Sequence, residues 1–296
     1  MPKPRSTPRS STPRAKRSTQ RRASPSGIAA ENWGTAITRI EPDSILIRGY
    51  ALDELMGRLS FGETIYLLLV GERPSPAVGR LMEALLVSSI DHGATPPSTQ
   101  AARTVAGTGA PLRAAVSAGV LALGSPLGGG GSIQSCLRFL DEGLALVGDW
   151  VSHDDAARRL LDQWSATGTD VPPGFGHRFH ARDPRAARLL QLAFELELDG
   201  GHIQLARALE QELVERRAAA GEAALSLNAD GAIAAVCGDL GLDGETATML
   251  FTVSRVPGFV AHAIEEQRHQ KAMRLIDLTK HHYDGPKPRR FPDAPL

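Results

Sequence analysis

The sequence predicts an all-α protein whose helices are joined by long connections. From about residue 50 onward, apolar residues recur at the three- and four-residue spacing of a helix. Strand signal is thin, and strands do not alternate with helices as a parallel sheet requires. The 296 residues contain no run of 18 apolar residues, so we expect no membrane-spanning segment.

Capping residues place the elements in order. The stretch SILIRG (44–49) could form one short strand. Ser75 has the chemistry of an N-cap with Pro76 in the first turn, and the apolar stripe behind them predicts a helix that stops near Gly93. The same signals predict further helices, which are expected from Ser152 to Gly168, from Asp183 to Gly200, and across residues 202–222, 230–242 and 259–273.

The formal net charge of zero hides an asymmetry. Residues 1–27 hold eight Lys or Arg and no acid, which leaves 25 basic against 33 acidic residues in 28–296. This tail is rich in Ser, Thr, Pro and Arg, so we expect a disordered, dispensable extension. It lacks the apolar segment of a secretory signal, and we expect a cytoplasmic protein. The acidic body makes nucleic acid an unlikely main partner.

Two cysteines, Cys136 and Cys237, stand in apolar helical patterns. Cys237 belongs to a stripe with Ile233, Val236 and Leu240, which suggests one buried helix face. We expect both thiols to be small core residues rather than a disulfide framework. No paired Cys or His spacing of the zinc type occurs, so we expect no metal.

The stretch PPGFGHRFHARDPRA (172–186) is the first candidate for chemistry. Gly174 and Gly176 flank Phe175 and can bring backbone amides close to a ligand, while His177 can transfer protons near neutral pH. Three arginines that favour anions follow, namely Arg178, Arg182 and, at a helix start, Arg185. A glycine-rich loop with a surface histidine explains the spacing equally well.

Three other positions stand out, each with a plainer alternative. Asp230 could be a general base at the mouth of an apolar pocket or an ordinary helix cap. Arg255 lies among apolar residues and needs a bound anion or a structural ion pair. The pair Asp91–His92 could supply a ligand-binding imidazole or mark a helix end.

The order of these motifs resembles the citrate synthase family. The succession is DH, a glycine loop, GFGHR with DPRA, LNADG, and SRVPGFVAHAIEEQ. The resemblance runs from about residue 35 to 285 and includes IRGYALDELMGRLSFGETIYLLLVGERPS (47–75). The LNADG form and the short chain are more similar to the citryl-CoA lyase branch, including the lyase module of ATP-citrate lyase.

The resemblance implies an all-α homodimer in which a smaller helical domain closes over a large one. The large domain would comprise residues 28–136 and 242–296, and the small domain residues 137–241. The implied partners are small molecules, namely oxaloacetate and acetyl-CoA or citryl-CoA. A coenzyme A thioester would be a substrate.

The resemblance also implies roles for single residues. His177 would act as acid or base on the oxaloacetate oxygen, and Asp230 as base at the acetyl carbon. His92, Arg185 and Arg255 would bind the carboxylate substrate. Coenzyme A would be held by Gly174, Phe175, Gly176, Arg178 and Arg182.

The chain departs from the family pattern at two places. Synthases read GPLHGGAN where this chain reads GSPLGGGGS (124–132), so their histidine falls on Leu127, Gly128 or Gly129. The lyase module of ATP-citrate lyase also resembles this chain in lacking that histidine. Near the C-terminus, Leu278 occupies the place of an arginine that reaches the partner subunit's substrate, with Lys280 nearby.

Three functions therefore stay open on sequence grounds. The first is cleavage of citryl-CoA or the same bond made in the synthetic direction. The second is a methylcitrate-type condensation with another acyl-CoA. The third is a non-catalytic relative that keeps the fold and binds coenzyme A, which the bare glycine loop would favour.

Overall fold

The computed structural model describes residues 34–124, 130–178, 180–273 and 277–291. The chain divides into two units, Met1–Ala36 and Ile37–Leu296, and the second holds every element described below. The predicted basic tail, residues 1–27, lies outside the described residues, as do residues 125–129, which include the first half of the glycine run.

A small antiparallel sheet opens the described chain, where the sequence predicted a single strand. It comprises β1 (Thr38–Glu41), β2 (Ser44–Ile47) and β3 (Tyr50–Ala51), in that order. Arg48 and Gly49 both have positive φ between β2 and β3, as a tight hairpin turn requires. The sheet was under-predicted because Arg48 gives no sequence signal for such a turn.

Helices make up the rest of the fold, and the all-α class is confirmed. The helices in the described ranges are α1 (Leu52–Leu55), α2 (Phe61–Val70), α3 (Pro76–Ser88), α4 (Pro97–Gly107), α5 (Leu112–Leu121), α6 (Gly131–Leu144), α7 (His153–Ser165), α8 (Pro184–Glu195), α9 (Gly201–Ala219), α10 (Ala229–Asp239) and α11 (Gly244–His269). A short 3-10 helix spans Leu278–Lys280.

The predicted helix starts are confirmed by capping hydrogen bonds. The Ser75 hydroxyl accepts from the Val78 N–H (3.2 Å), and the Ser152 hydroxyl accepts from the Asp155 N–H (3.1 Å). Asp183 caps α8 in the same way. The predicted ends are wrong by a few residues, because α3, α7 and α8 stop before the glycines that follow them.

Helix α10 lies at the centre of the core, where it packs against α6, α8 and α9. Every residue from Gly231 to Cys237 is buried. The predicted single stripe was therefore too narrow, because neighbours surround this helix on all sides. Both cysteines are buried and free, as predicted.

Helix α11 is longer than predicted and continues through Pro257. By length and composition it is apolar enough to cross a membrane, which the sequence did not indicate. Of its most apolar stretch, 44% is buried, and it packs against α4, α5 and α6 like a core helix. The absence of a membrane span stays a prediction.

The division into a large domain (28–136 and 242–296) and a small one (137–241) also stays a prediction. Its first boundary falls within α6, and its second falls in the turn between α10 and α11.

Candidate active site

Backbone pairing brings the GFG loop against the start of α10. Phe175 and Leu227 form an isolated antiparallel bridge. The Gly176 N–H donates to the Ser226 carbonyl (2.8 Å), and the Asn228 N–H donates to the Gly174 carbonyl (2.9 Å). This pairing places the loop that carries His177 beside the helix turn that carries Asp230.

Two glycines make this approach possible. Gly174 has φ +87°, and a Cβ there would overlap the Cys136 sulfur and the Gly231 backbone. A Cβ at Gly231 would in turn overlap the Gly174 carbonyl. The loop and α10 therefore touch backbone to backbone.

Asp183 joins two helix starts to each other. Its carboxylate accepts from the Arg185 N–H, Nε and Nη2 (3.0, 3.0 and 2.8 Å) and from the Ala229 N–H (3.0 Å). The residue is 2% exposed. Burial alone would raise the pKa of Asp183, but the hydrogen bonds and charge of Arg185 outweigh burial and lower it. Arg185 is thereby fixed at the start of α8.

Asp230 is the second residue of α10, and the residue that caps this helix is Asn228. Burial raises the pKa of the Asp230 carboxyl. A hydrogen bond from the Ser132 hydroxyl (2.5 Å) and the charges of Arg185 and His177 oppose this rise without cancelling it. The residue is in the helix but does not cap it, so the ordinary-cap alternative is wrong.

His177 has a pKa lowered first by burial and then by the charge of His180. The two rings stack with their centroids 4.5 Å apart, and the His180 N–H donates to His177 Nδ1 (3.2 Å). The charges of Asp183 and Asp230 act in the opposite direction. The imidazole is therefore held toward its neutral form.

Arg255 is a buried cation without a carboxylate within ion-pair distance among the described residues. It is 3% exposed, and its Nη1 donates to the Ser89 carbonyl at 3.4 Å. Its Nε has no hydrogen-bond partner in the described parts of the chain. The guanidinium lies over the rings of Phe251 and Phe259, 6.0 and 5.6 Å from their centroids. Burial lowers its pKa. The structural ion pair is therefore not seen, and the unused donor favours a bound anion.

His92 completes the cluster from the segment after α3. Its ring lies edge-on to that of His177, with the centroids 6.4 Å apart. Burial and then the charges of Arg185 and Arg255 lower the pKa of His92. The Asp91 carboxylate contacts Nε2 of His262 (3.2 Å), which anchors this segment to α11.

The structure thus brings together His92, His177, Arg185, Arg255 and Asp230, whose charges act on one another. These five residues come from five separate loops and helices of the chain. Histidine and carboxyl groups, which can exchange protons, thus lie near arginine side chains, which can bind anions.

The residues predicted to hold coenzyme A differ from one another in solvent exposure. Gly174 and Phe175 are buried, while Arg178 and Arg182 are exposed. The Phe175 and Gly176 amides already donate to the Pro172 and Ser226 carbonyls. Arg182 borders a cavity of about 420 Å³ between α8 and α9. Contact with coenzyme A stays a prediction.

Of the two departures from the family pattern, the structure describes only the one near the C-terminus. Leu127, Gly128 and Gly129 lie outside the described residues. Lys280 is exposed at the end of the 3-10 helix, with its Nζ 3.9 Å from Asp277. No group of three or more His, Cys, Asp or Glu within the described ranges could hold a metal.

Sequence reasoning missed two contributors to the site. Ser132 directly contacts Asp230, and Asp183 links Arg185 to α10 in addition to its predicted capping role. The signal for Asp183 was present in the DPR motif, but the partner at Ala229 is distant in sequence. Ser132 closes the glycine run and carried no signal of its own.

Fold and candidate site together describe an all-α protein in which a histidine and a buried aspartate lie in one cluster with arginine side chains. A family model described as "Citrate synthase, C-terminal domain" matches residues 69–276. Because this match covers more than half of the sequence, the chain belongs to the citrate synthase family.

Curated relatives agree with this family. The chain is 34% identical over 221 residues to the putative citrate synthase 2 of Mycobacterium tuberculosis, which is 73% of this chain and 54% of the relative. It is 27% identical over 230 residues to citrate synthase 2 of Bacillus subtilis, covering 77% of this chain and 57% of that protein. The chain spans about half the length of the curated relatives it matches.

Solved structures include a similar protein of matching length. Citryl-CoA lyase from Hydrogenobacter thermophilus is 40% identical with a TM-score of 0.77, covering 88% of this chain and 98% of that one. Citrate synthase from Thermotoga maritima is 26% identical with a TM-score of 0.61, covering 79% and 60%. ATP citrate lyase from Methanosaeta concilii, in complex with (3S)-citryl-CoA, shares the fold at 19% identity and a TM-score of 0.70, covering 88% and 43%.

Proposed function

We propose that this protein makes or breaks the carbon–carbon bond between acetyl-CoA and oxaloacetate, with cleavage of citryl-CoA as the favoured direction. The observation that carries the proposal is the backbone pairing that places the His177 loop beside the first turn of α10, which carries Asp230. The 40% sequence identity to a citryl-CoA lyase supports the direction.

Cleavage would proceed as a retro-aldol reaction. His177 takes the proton of the citryl hydroxyl, and the O–H electron pair becomes the carbonyl of oxaloacetate. The bond between the hydroxyl-bearing carbon and the acetyl carbon breaks, and its electron pair forms the enolate of acetyl-CoA. Asp230 then gives its proton to that carbon. Condensation is the same path reversed.

The two pKa shifts have the directions that the groups need at the start of cleavage. A base at the hydroxyl must be a neutral imidazole, and burial lowers the pKa of His177. An acid at the enolate carbon must hold a proton, and burial raises the pKa of Asp230. Condensation would instead need Asp230 ionised at the start.

The arginine side chains would bind the carboxylate groups of the substrate. Arg255 has donors to spare for a carboxylate, and Arg185 is held in place by Asp183. His92 would contact the same substrate. We further propose that coenzyme A lies along the GFG loop with Arg178 and Arg182 near its phosphates. We also propose that the protein is a homodimer and that it is located in the cytoplasm.

The alternatives make different predictions. A methylcitrate-type synthase would prefer a longer acyl-CoA. A non-catalytic relative would bind coenzyme A without turnover. The missing loop histidine favours this last alternative, since loss of one such donor typically costs about 2.7–4 kcal/mol of transition-state stabilisation.

The experiment supplies citryl-CoA, and separately acetyl-CoA or propionyl-CoA with oxaloacetate, and follows all products by mass spectrometry. Wild type should release acetyl-CoA and oxaloacetate from citryl-CoA. Asp230→Asn and His177→Ala should abolish this, while the exposed controls Asp154→Asn and His269→Ala should not. Equal rates for wild type and Asp230→Asn would favour a non-catalytic relative.

A further inference from the structure

We propose that Ser132 is a positioning residue for Asp230, which holds one carboxylate oxygen so that the other faces the reacting carbon. This inference rests on the proposed function of Asp230. The Ser132 hydroxyl donates to Asp230 Oδ2 at 2.5 Å. It is the one side-chain hydrogen bond recorded for that carboxylate among the described residues.

The position of Ser132 is set by two packed helices. Ser132 lies in the first turn of α6, and Asp230 lies in the first turn of α10. Gly130 precedes α6 with φ +82°, and a Cβ there would collide with the Phe251 ring. Gly130 therefore lets the start of α6 lie close to the Phe251 ring of α11, and α6 also packs against α10.

The two carboxylate oxygens have different surroundings. Oδ2 is engaged by Ser132, whereas no described residue hydrogen-bonds Oδ1. A general acid or base works best when its free oxygen is aimed and its rotamer is locked. Oδ1 is then the oxygen that carries the proton to or from the acetyl carbon.

Several charged or titratable groups act on Asp230 besides Ser132. Arg185 and Asp183 do so from the start of α8, and His177 from the GFG loop. Cys136 lies one turn beyond Ser132 on α6, and its pKa is raised by burial and by Asp230. Ser132 is the neutral donor among them, so its removal deletes a hydrogen bond without changing the net charge.

The sign of the effect follows from the geometry. A hydroxyl that donates to the ionised carboxylate favours the charged form. The Ser132 hydroxyl therefore lowers the pKa of Asp230, against the increase that burial causes. Removing the hydroxyl should therefore raise the pKa of Asp230 further. The limb of the pH–rate profile that reports Asp230 should move to higher pH, whichever reaction direction is assayed.

The test compares Ser132→Ala with Ser132→Thr, which keeps the hydroxyl, and with Ser135→Ala, which removes a hydroxyl from the same helix. Ser132→Ala should lower kcat about 10-fold with little change in KM, since a hydrogen bond to a charged group contributes roughly that much. The Asp230 limb should shift upward. Ser132→Thr should restore both, and Ser135→Ala should match wild type.

A second readout does not depend on activity. The Asp230 carboxyl carbon is titrated by ¹³C NMR in the unliganded protein, with Asp230→Asn used to assign the resonance. Ser132→Ala should titrate at higher pH than wild type, and Ser132→Cys, a weaker donor, should fall between them. Ser132→Cys also serves if the alanine variant fails to fold.

The outcomes separate the two proposals. Wild type without turnover, combined with a shifted titration in Ser132→Ala, would overturn the proposed function but keep the contact between Ser132 and Asp230. An active wild type with an identical titration and pH profile in Ser132→Ala would overturn the role of Ser132.

Discussion

The Asp183 carboxylate accepts a hydrogen bond from the Ala229 N–H (3.0 Å) while it holds the Arg185 guanidinium through two others. One buried carboxylate thus connects the first turn of α8 to that of α10. Arg185 and the helix turn that carries Asp230 are fixed to each other through this group.

Asp183→Ala should therefore destabilise the fold as well as the site. Loss of one partner from a buried ion pair costs about 3–5 kcal/mol, because the remaining groups lose their compensation. Urea unfolding would measure the change in the free energy of unfolding. Glu195→Ala removes an exposed ion pair with Arg188 on the same helix and should leave the midpoint unchanged. Similar midpoints for both variants would contradict the linking role of Asp183.

Arg255→Met should separate stability from ligand binding. The guanidinium is buried without a carboxylate partner in the described residues, so an apolar side chain of similar length should leave the melting temperature of the free protein unchanged or higher. Oxaloacetate should raise the melting temperature of wild type but not that of the variant.

The matched control is Arg103→Met, because Arg103 is a largely buried arginine that pairs with Glu266 at 2.7 Å. It should lower the melting temperature and keep the response to oxaloacetate. If Arg255→Met behaved like Arg103→Met, Arg255 would have a structural role instead.

His202 should make stability depend on pH above the ordinary histidine value of 6.5. Its hydrogen bond to Asp239 raises the pKa of the ring against the opposing effect of burial, and Asp141 adds to the rise. A raised pKa in the folded state gives a stabilisation that is complete below the ordinary value of 6.5 and is lost as the pH rises through the raised value. Asp141→Asn should reduce this loss.

Denaturation at pH 6 and pH 9 would measure the effect as a difference in the free energy of unfolding. The control is Asp149→Asn, which changes an exposed carboxylate outside this cluster. An equal pH dependence in wild type and Asp141→Asn would show that Asp141 does not contribute.

Gly174→Ala should cost more than an alanine at another glycine with positive φ. Gly168 has φ +78° and open space around it, so Gly168→Ala measures the backbone strain alone, about 1–2 kcal/mol. Gly174→Ala adds overlap with Cys136 and Gly231, which should cost about 1–3 kcal/mol more. Chemical denaturation of the two variants gives the comparison, and equal losses would mean that the loop can move away from α10.

The sequence predicted features that depend on neighbouring residues. Ser75, Ser152 and Asp183 cap helices as expected, because a capping side chain bonds to an amide within three residues. The small sheet was harder to predict, since Asp43 and Arg48 adopt positive φ without being glycine. Long-range packing also decided that α10 is buried all round.

The candidate site could be proposed from the sequence only through the family resemblance. Spacing alone left His177, Asp230 and Arg255 with ordinary alternatives, because nothing local shows that the GFG loop pairs with residues 226–228. The resemblance directed attention to the missing histidine of the glycine run. The contribution of Ser132 depends on where α6 begins relative to α10, which no motif encodes.

The backbone contact between Gly174 and Gly231 also constrains how this sequence can diverge. Each glycine occupies the space that a methyl group on the other would need. A larger residue at one position cannot be compensated by a smaller residue at the other, because both are already glycine. We therefore expect both positions to stay glycine together in descendants of this chain.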